Sequence, residues 1–434
     1  MANVETLGAL ERRVSMTLPV ADIDRQVAER LKKLARDVRM PGFRPGKVPM
    51  KLVAQTYGPQ VRNEVLGDVV QKSFTDAVKE ANLRVAGPPR IEKKDGGDER
   101  SLEFSATFEV YPEVKLGDIS AATIEKPRLA VGDENVERTI EILRKQRTRF
   151  VAAARPAKDG DRVTVGFQGT IEGQPFDGGE AENFPFVLGE GRMLPEFETA
   201  ARGMSAGEAK TFTLKFPADY HGKAVAGKDA VFELKLKSVD EPQLPALDAE
   251  FAKALGVADG DLQKMRAEVR ANVEREVAKR IEARVKAQAL QALLDSTPVE
   301  LPRTLVDLEA QQLVERATVD LQARGMKPEQ IPALRPAAFE DTAKRRVALA
   351  LLIGEIARTE NLQPKPAEVR ALVEQEAQTY ESPTEVVKWF YMQPQRLSEM
   401  EGMALEANVV KWVVAKANVV EKEMAFDEFM GSGA

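Results

Sequence analysis

Hydrophobic residues recur at every third or fourth position along much of the chain, and this spacing predicts amphipathic helices. Near the N-terminus it covers residues 22–38 and again 61–81, with a Pro- and Gly-rich loop, MPGFRPGKVP, between them. Two strand-like runs follow, and in the second, residues 102–110, apolar and polar positions alternate strictly. We therefore predict that residues 1–112 form an α+β domain.

The middle of the chain has a different pattern, in which short alternating runs are separated by Gly-rich turns. Residues 150–245 hold nine of the 18 Phe, and residues 160–227 hold twelve of the 29 Gly. Runs of this kind predict a small antiparallel sheet with one short helix. Residues 113–149 precede it as a connector, with an extended start and a charged helix for which Asp133 is the expected N-cap.

From Pro245 onward the helical spacing returns. In residues 262–294 an apolar residue recurs every fourth position between many Glu, Arg and Lys, which predicts one long amphipathic helix. Trp389 and Trp412 are expected to pack within such stripes. Residues 246–434 are thus predicted to form an elongated all-α domain, which makes the whole a multidomain α+β protein. Further helices are predicted at 303–324, 337–361, 366–380, 384–391 and after residue 395.

Composition excludes several kinds of chemistry. The chain has no Cys and a single His, His221, so disulfides, thiolate sites, His-based triads and multi-histidine metal sites are ruled out. His221 itself is expected to be an ordinary surface residue. The N-terminal residues show no secretory signal pattern, and no stretch approaches about 18 uninterrupted apolar residues. We therefore expect a reducing, cytoplasmic location and no membrane span.

Charge is distributed unevenly along the chain. The net charge is −6, yet residues 25–51 hold nine Lys or Arg against two acidic residues, a local charge of +7. A basic segment on an acidic protein indicates either docking on an anionic surface, such as nucleic acid or a ribonucleoprotein, or simply a solvated helix face. Charge alone leaves both interpretations open.

Two glycine-rich segments match nucleotide motifs only in part. GKAVAGKD at 222–229 has Asp229 where a phosphate-binding loop needs Ser or Thr for magnesium, and it runs into an alternating strand instead of a helix. GEGRML at 189–194 lacks the third glycine of a dinucleotide fingerprint. We expect no nucleotide, no other cofactor and no metal.

Over about 80 residues the middle domain reads DRVTVGFQGTIEGQPFDGG, then FPFVLGEGRMLPEFETAARGMSAGEAKTFTLKFPADYHGK, then AVFELKLKSV. In this order the segments closely resemble the FK506-binding-protein class of prolyl cis/trans isomerases. The resemblance implies an apolar active-site bowl, with Phe197 at the floor where that class often has Trp. Phe212 and Phe216 are expected in the core of the sheet instead. The bowl residues that it implies are Phe167, Phe176, Asp177, Phe186, Met193, Leu194, Phe197, Tyr220 and Phe232.

The residue inventory suits this reaction. Rotation of an X–Pro amide must break C–N resonance against a barrier of about 18–20 kcal/mol, and no proton has to move overall. A dry apolar pocket disfavours the charge-separated planar amide, and donors aimed at the rotated carbonyl favour the twisted state. A 10⁴-fold acceleration requires only about 5–6 kcal/mol. Neither an acid, a base, a metal nor a nucleotide is needed.

The loop after the first helix carries a second specific motif, GFRPGKVP. It follows a basic helix and precedes an isomerase-like segment and a helical region, and in this layout it resembles the ribosome-docking loop of the bacterial trigger factor family. Many members have a basic residue in place of Pro45, which leaves Arg44 and Lys47 as the main charged contacts. The implied contacts with the large ribosomal subunit, beside the polypeptide exit tunnel, are Gly42, Phe43, Arg44, Pro45, Gly46 and Lys47.

This second resemblance covers essentially the whole chain. It implies an ATP-independent chaperone for nascent and unfolded polypeptides, active in protein folding and export, whose connector 113–149 packs with residues 246–434. Two alternatives stay open, a dedicated isomerase whose flanking domains set partner choice and a chaperone whose isomerase domain is inactive. A periplasmic helical chaperone is disfavoured by the missing signal pattern. The sequence leaves open whether the free protein forms a weak homodimer away from the ribosome.

Overall fold

The computed structural model of the chain describes residues 3–41, 43, 48–94, 100–218, 220, 222 and 225–431. Its contacts group the chain into two compact units. The first contains Met1–Lys126 with Ala283–Glu421, and the second contains Pro127–Glu282 with Lys422–Ala434. The connector 113–149 is therefore divided between the two units after Lys126. The domain boundaries predicted at residues 112, 149 and 245 separate domains that would fold independently, which is a different division from these two units. Those boundaries stay predictions.

The N-terminal part is a four-stranded antiparallel sheet with two helices, as the α+β interpretation predicted. Residues 102–110 form a strand whose Phe104, Ala106, Phe108 and Val110 are buried. The pairing order is β1-β2-β4-β3. The first two strands were missed, although ERRVSMTLP alternates. The elements are β1 (Asn3–Thr6), β2 (Glu11–Pro19), α1 (Val20–Asp37), α2 (Met50–Glu80), β3 (Val85–Lys93) and β4 (Ser101–Val110).

Helix α2 begins at Met50, well before the predicted start at residue 61. Gly58 and Pro59 are residue types that disfavour a helix interior, yet the helix continues through both of them. Its buried apolar residues share one core with helix α1 and the sheet, and the rings of Phe74 and Phe108 meet edge to face with 5.2 Å between centroids. Tertiary packing here outweighs the cost of a proline inside a helix.

The connector holds strand β5 (Thr123–Arg128) and helix α3 (Asp133–Gln146). The predicted N-cap, Asp133, is wrong by one position. Gly132 is extended and precedes the helix, and its N–H donates to Asn135 Oδ1 at 2.9 Å. Asp133 instead occupies the first helical turn, and its carboxylate forms an ion pair with Arg270.

The middle segment is a five-stranded antiparallel sheet with one short helix, which confirms that prediction. Strand β10 pairs with β6, β7 and β9, and β7 pairs with β8. Alternate residues of β7 and β10 point into the core, where Val165 and Leu234 are fully buried. The described part of 222–229 leads into β10, as expected of a chance match. The elements are β6 (Arg149–Ala152), β7 (Arg162–Ile171), β8 (Gln174–Val187), α4 (Pro195–Ala201), β9 (Ala209–Lys215) and β10 (Asp229–Gln243).

The rest of the chain is helical except for one short strand, which confirms the helix predicted at 262–294 and the later helices. Several of these helices start with proline at the first helical position, where its missing N–H costs nothing. A short strand near the end pairs with β5. The elements are α5 (Ala249–Ala254), α6 (Leu262–Ser296), α7 (Arg303–Ala323), α8 (Glu340–Thr359), α9 (Pro366–Ala377), α10 (Pro383–Met392), α11 (Pro394–Lys416), β11 (Asn418–Glu423) and α12 (Phe426–Met430).

Each unit has its own helical core. In the first, Ile124 of the connector packs with Leu293, Leu352 and Val413. In the second, Ile140 and Met265 pack in one cluster, and both side chains are buried. Among the helices within the described residues, none is both long enough and apolar enough to cross a membrane.

Candidate active site

A cavity of about 610 Å³ lies in the five-stranded sheet domain, against helix α4. Its wall is mainly aromatic and aliphatic, with one exposed carboxylate and one exposed guanidinium, those of Asp177 and Arg192. A larger cavity, about 830 Å³, lies in the first unit but has a strongly charged wall, so it offers no apolar bowl. Eight of the nine predicted bowl residues share the wall of the smaller cavity: Phe167, Phe176, Asp177, Met193, Leu194, Phe197, Tyr220 and Phe232.

Phe197 joins the aromatic side chains of the cavity into one cluster. It projects from α4, and only 2% of it is exposed. Its ring lies edge-on to those of Phe167 and Phe232, with centroids 5.1 and 5.7 Å away. Edge-to-face contacts of this kind are the favoured aromatic geometry. The floor of the cavity is therefore held by the packing of the domain core itself.

The ninth predicted residue, Phe186, does not line the cavity. It is buried, and its ring packs against Phe197 at 6.2 Å. Its neighbour Phe184 is instead 39% exposed, with its ring edge-on to Phe167 at 6.1 Å. Neither residue lines the cavity, and their rings contact each other at 6.3 Å between centroids. Phe186 supports the floor from beneath.

Sequence reasoning also missed part of the wall. Phe216, expected in the core, is buried and yet lines the cavity beside Tyr220, 4.8 Å away between ring centroids. Gly169 on β7 matters for a different reason. A Cβ at this position would lie 2.5 Å from the Phe232 ring, so the absence of a side chain lets that ring approach β7. Its place in the alternating run RVTVGFQGTI was the only available signal.

Helix α4 begins within the cavity wall, since its Pro195 and Phe197 both line the cavity. Leu194 is its N-cap residue, and its carbonyl accepts the N–H groups of Phe197 and Glu198. Within the described part of the chain, the N–H of Leu194 has no acceptor. The Leu194 N–H is thus a backbone donor that the wall can offer to a ligand.

The strongest electrostatic feature of the domain lies elsewhere. Asp161 is fully buried and accepts two hydrogen bonds from Arg155, at 2.6 and 2.9 Å, and one from the Lys158 N–H at 3.0 Å. Burial would raise the pKa of Asp161, but these bonds and the neighbouring positive charges outweigh it, so the pKa is lowered. Neither residue lines the cavity, and we interpret the pair as structural. Across the described ranges, no three acidic or His side chains come together as metal ligands.

Only one of the six predicted ribosome-loop residues is described. Phe43 is 41% exposed, and its N–H donates to the carbonyl of Met40 at 3.1 Å. Gly42, Arg44, Pro45, Gly46 and Lys47 lie outside the described residues, as does His221. Their roles stay predictions.

Comparisons with known proteins agree along the chain. Residues 1–143 match the model "Bacterial trigger factor protein (TF)", and 261–415 match the model of its C-terminus. A trigger factor of Azoarcus sp. (strain BH72) is 56% identical over 425 residues, which are 98% of this chain and 97% of that protein. The trigger factor of Aromatoleum aromaticum is 53% identical and covers 99% of both chains.

The chain belongs to the trigger factor family. Its residues 153–237 match "FKBP-type peptidyl-prolyl cis-trans isomerase", and every cavity residue named above falls within that segment. The isomerase prediction and the family resemblance are thereby confirmed. A solved trigger factor chaperone, studied for promiscuous substrate recognition in folding and assembly, is 19% identical over 95% of this chain and 99% of its own, with a TM-score of 0.46. The family assignment rests on the closer matches.

Proposed function

We propose that this trigger factor family member is a cytoplasmic, ribosome-associated chaperone that works without ATP and isomerises X–Pro bonds in the aromatic cavity. The observation that carries the catalytic part is the cavity itself, about 610 Å³ in volume and lined mainly by aromatic and aliphatic side chains. Such a wall suits a prolyl ring, which is apolar and compact. Phe176, Phe197 and Phe232 would hold the ring.

The cavity favours the twisted amide in two ways. A planar X–Pro amide carries charge separation, which an apolar surrounding stabilises less than water does. Rotation removes the resonance and moves the carbonyl oxygen to a new position, and a donor aimed at that position, for which the Leu194 N–H is available, favours the twisted amide. Asp177 at the exposed side adds a fixed negative charge beside the rotating dipole. No bond to the enzyme forms, and the substrate leaves unchanged in covalent structure.

The helical part of the first unit offers apolar surface for unfolded clients. Exposed Met and aromatic residues suit varied partners because Met adapts its shape and aromatic rings bury a large area. Trp389, expected in a core stripe, is 38% exposed and stacks under the Arg396 guanidinium at 4.1 Å. A weak homodimer away from the ribosome would use the same surface. The exposed residues are Leu308, Val319, Met326, Tyr380, Trp389, Tyr391, Met392 and Met403.

Docking beside the exit tunnel of the large ribosomal subunit would begin at the Phe43 loop. Helix α1 leads into that loop, and exposed Lys32, Lys33 and Arg36 lie in its last turns, with exposed Arg39 just beyond. Phosphates and acidic ribosomal proteins are both suitable partners for such cations. Nascent chains would then reach the apolar helices and the cavity of a protein already held at their exit.

Phe176→Leu in the full-length chain tests the catalytic part. Phe176 and Phe212 are both half-buried in the same core cluster, but only Phe176 lines the cavity. We expect Phe176→Leu to lower kcat/KM in proline-limited refolding about tenfold, and the control Phe212→Leu to change it less than about twofold. Equal activity of both variants would contradict the cavity assignment. If the unmodified protein does not accelerate proline-limited refolding, the alternative of a chaperone with an inactive isomerase domain is favoured.

A further inference from the structure

Glu198 is the buried carboxylate closest in sequence to the cavity floor, and the reaction described above does not use it. It follows Phe197 in helix α4 and is only 7% exposed. A charged group in such a place is costly unless hydrogen bonds compensate for the lost water. An apolar residue would fill the same volume at less cost, so its contacts must explain its presence.

The Glu198 carboxylate binds both ends of one loop. Oε2 accepts the N–H of Gly189 at 3.1 Å, and Oε1 accepts the N–H of Met193 at the longer distance of 3.5 Å. The residues between these two amides form the turn that connects β8 to α4. One side chain therefore closes a five-residue loop, from Gly189 to Met193, onto the helix that follows it.

The loop held in this way forms one wall of the cavity. Gly191, Arg192 and Met193 line it, and Leu194 follows directly. Gly189 adopts a positive φ of 88°, and a Cβ there would lie 3.3 Å from the side chain of Asp159. The loop is thus constrained at its first residue by backbone geometry and at both ends by Glu198.

We propose that Glu198 is a positioning residue for the isomerase reaction. It holds the amides of Gly189 and Met193, and so keeps the adjacent Leu194 N–H and the Met193 side chain in place against the rotating X–Pro bond. Leu194 keeps its donor for the substrate, while the amides on either side of the loop are occupied by the carboxylate. This role rests on the proposed function of the cavity.

The test compares Glu198→Met and Glu198→Gln with Glu196→Gln, an exposed carboxylate on the same helix, all in the full-length chain. Glu198→Met leaves the amides of Gly189 and Met193 without their acceptor, so the thermal midpoint should fall modestly while the protein stays folded at the assay temperature. Its kcat for an X–Pro peptide should nevertheless fall about tenfold, with KM changed less than about twofold. Glu198→Gln keeps one acceptor and should lose about threefold. Glu196→Gln should match the unmodified protein.

Amide exchange distinguishes positioning from general stability. In Glu198→Met the amides of Gly189 and Met193 should exchange faster, while those of β7 and β10 stay protected. Unchanged kcat in Glu198→Met, or a loss that only follows the unfolded fraction, would overturn the proposal. If Phe176→Leu also keeps full activity, the cavity assignment fails first. If Phe176→Leu is impaired and Glu198→Met is not, only the positioning role is lost.

Discussion

Single residues decide the shape of the aromatic cavity, and the smallest of them is Gly169. The Phe232 ring occupies the space that a side chain at this position would need, 2.5 Å from the ideal Cβ. Phe232 in turn belongs to the cavity wall and contacts Phe197. A methyl group added at Gly169 would therefore disturb the cavity by displacing the Phe232 ring.

We expect Gly169→Ala to lower the free energy of unfolding by about 1–3 kcal/mol through overpacking, and to reduce kcat/KM more than the lost stability explains. Gly166→Ala is the matched control on the same strand, since its Cβ would meet the Glu182 carbonyl at 3.2 Å and the Lys237 side chain. Urea unfolding and proline-limited refolding assays measure the two effects. Full activity in a stably folded Gly169→Ala protein would contradict the proposed part of Phe232 in catalysis.

At the scale of elements, helix α7 depends on a residue from the N-terminal sheet. Pro302 occupies its N-cap position and supplies no side-chain cap. Glu109 of β4 takes that role, accepting the N–H groups of Arg303 at 3.0 Å and Thr304 at 2.7 Å. Gly87 of β3 packs so closely on Thr304 that a Cβ would lie 2.5 Å from its methyl group. Sheet and helix are thus joined by a cap between residues far apart in sequence.

Replacing Glu109 with Ala should destabilise this junction by about 1 kcal/mol at neutral pH, as loss of an N-cap does. Burial would raise the pKa of Glu109, but hydrogen bonds from Thr304 and Arg303 and the Arg303 charge outweigh it and lower the pKa. The contribution is therefore present above the ordinary carboxylate pKa and lost as pH falls through the lowered value.

Urea unfolding of Glu109→Ala and the unmodified protein at about pH 7 and about pH 3 checks this sign. The difference between the two proteins should be largest at the higher pH and should shrink at the lower one. Glu103→Ala on the same strand is the control and should show no such trend. A difference that grows on acidification would refute the capping role.

At the scale of the whole molecule, the isomerase segment accompanies exposed apolar helices and a basic helix, which we propose bind polypeptides and the ribosome. The isomerase segment, residues 153–237, is about a fifth of the chain, and the family matches extend on both sides of it. Catalysis can thus be only one of the tasks of the chain. The proposed docking loop would determine where the others take place.

Phe43→Ala should abolish co-sedimentation with large ribosomal subunits while leaving the kcat/KM for an X–Pro peptide unchanged. Phe43 is 41% exposed, and Leu7, in the turn between β1 and β2, is 37% exposed, so Leu7→Ala is the matched control. Binding of the unmodified protein should weaken as salt rises, because cations of α1 would displace counterions. Undiminished co-sedimentation of Phe43→Ala would rule out the loop assignment.

Local patterns predicted most elements correctly, and the failures have physical causes. Residues 102–110, where apolar and polar positions alternate, form a strand, and residues 262–294, where every fourth position is apolar, form a helix. Both patterns were reliable because one face of each element is buried. The start of α2 was misjudged because Gly58 and Pro59 oppose a helix locally and only tertiary packing, here against helix α1, overrides them. The Asp133 cap was missed by one residue because Asn135 reaches back to Gly132.

By itself, through its resemblance to known families, the sequence indicated the reaction class and the family, and it implied nine bowl residues, eight of which line the cavity. Only the tertiary structure decided that Phe186 lies beneath the floor while Phe216 reaches the wall. The same holds for Glu198 closing a loop and Glu109 capping α7. These contacts join groups whose distance depends on how strands and helices pack, and no local pattern records that distance.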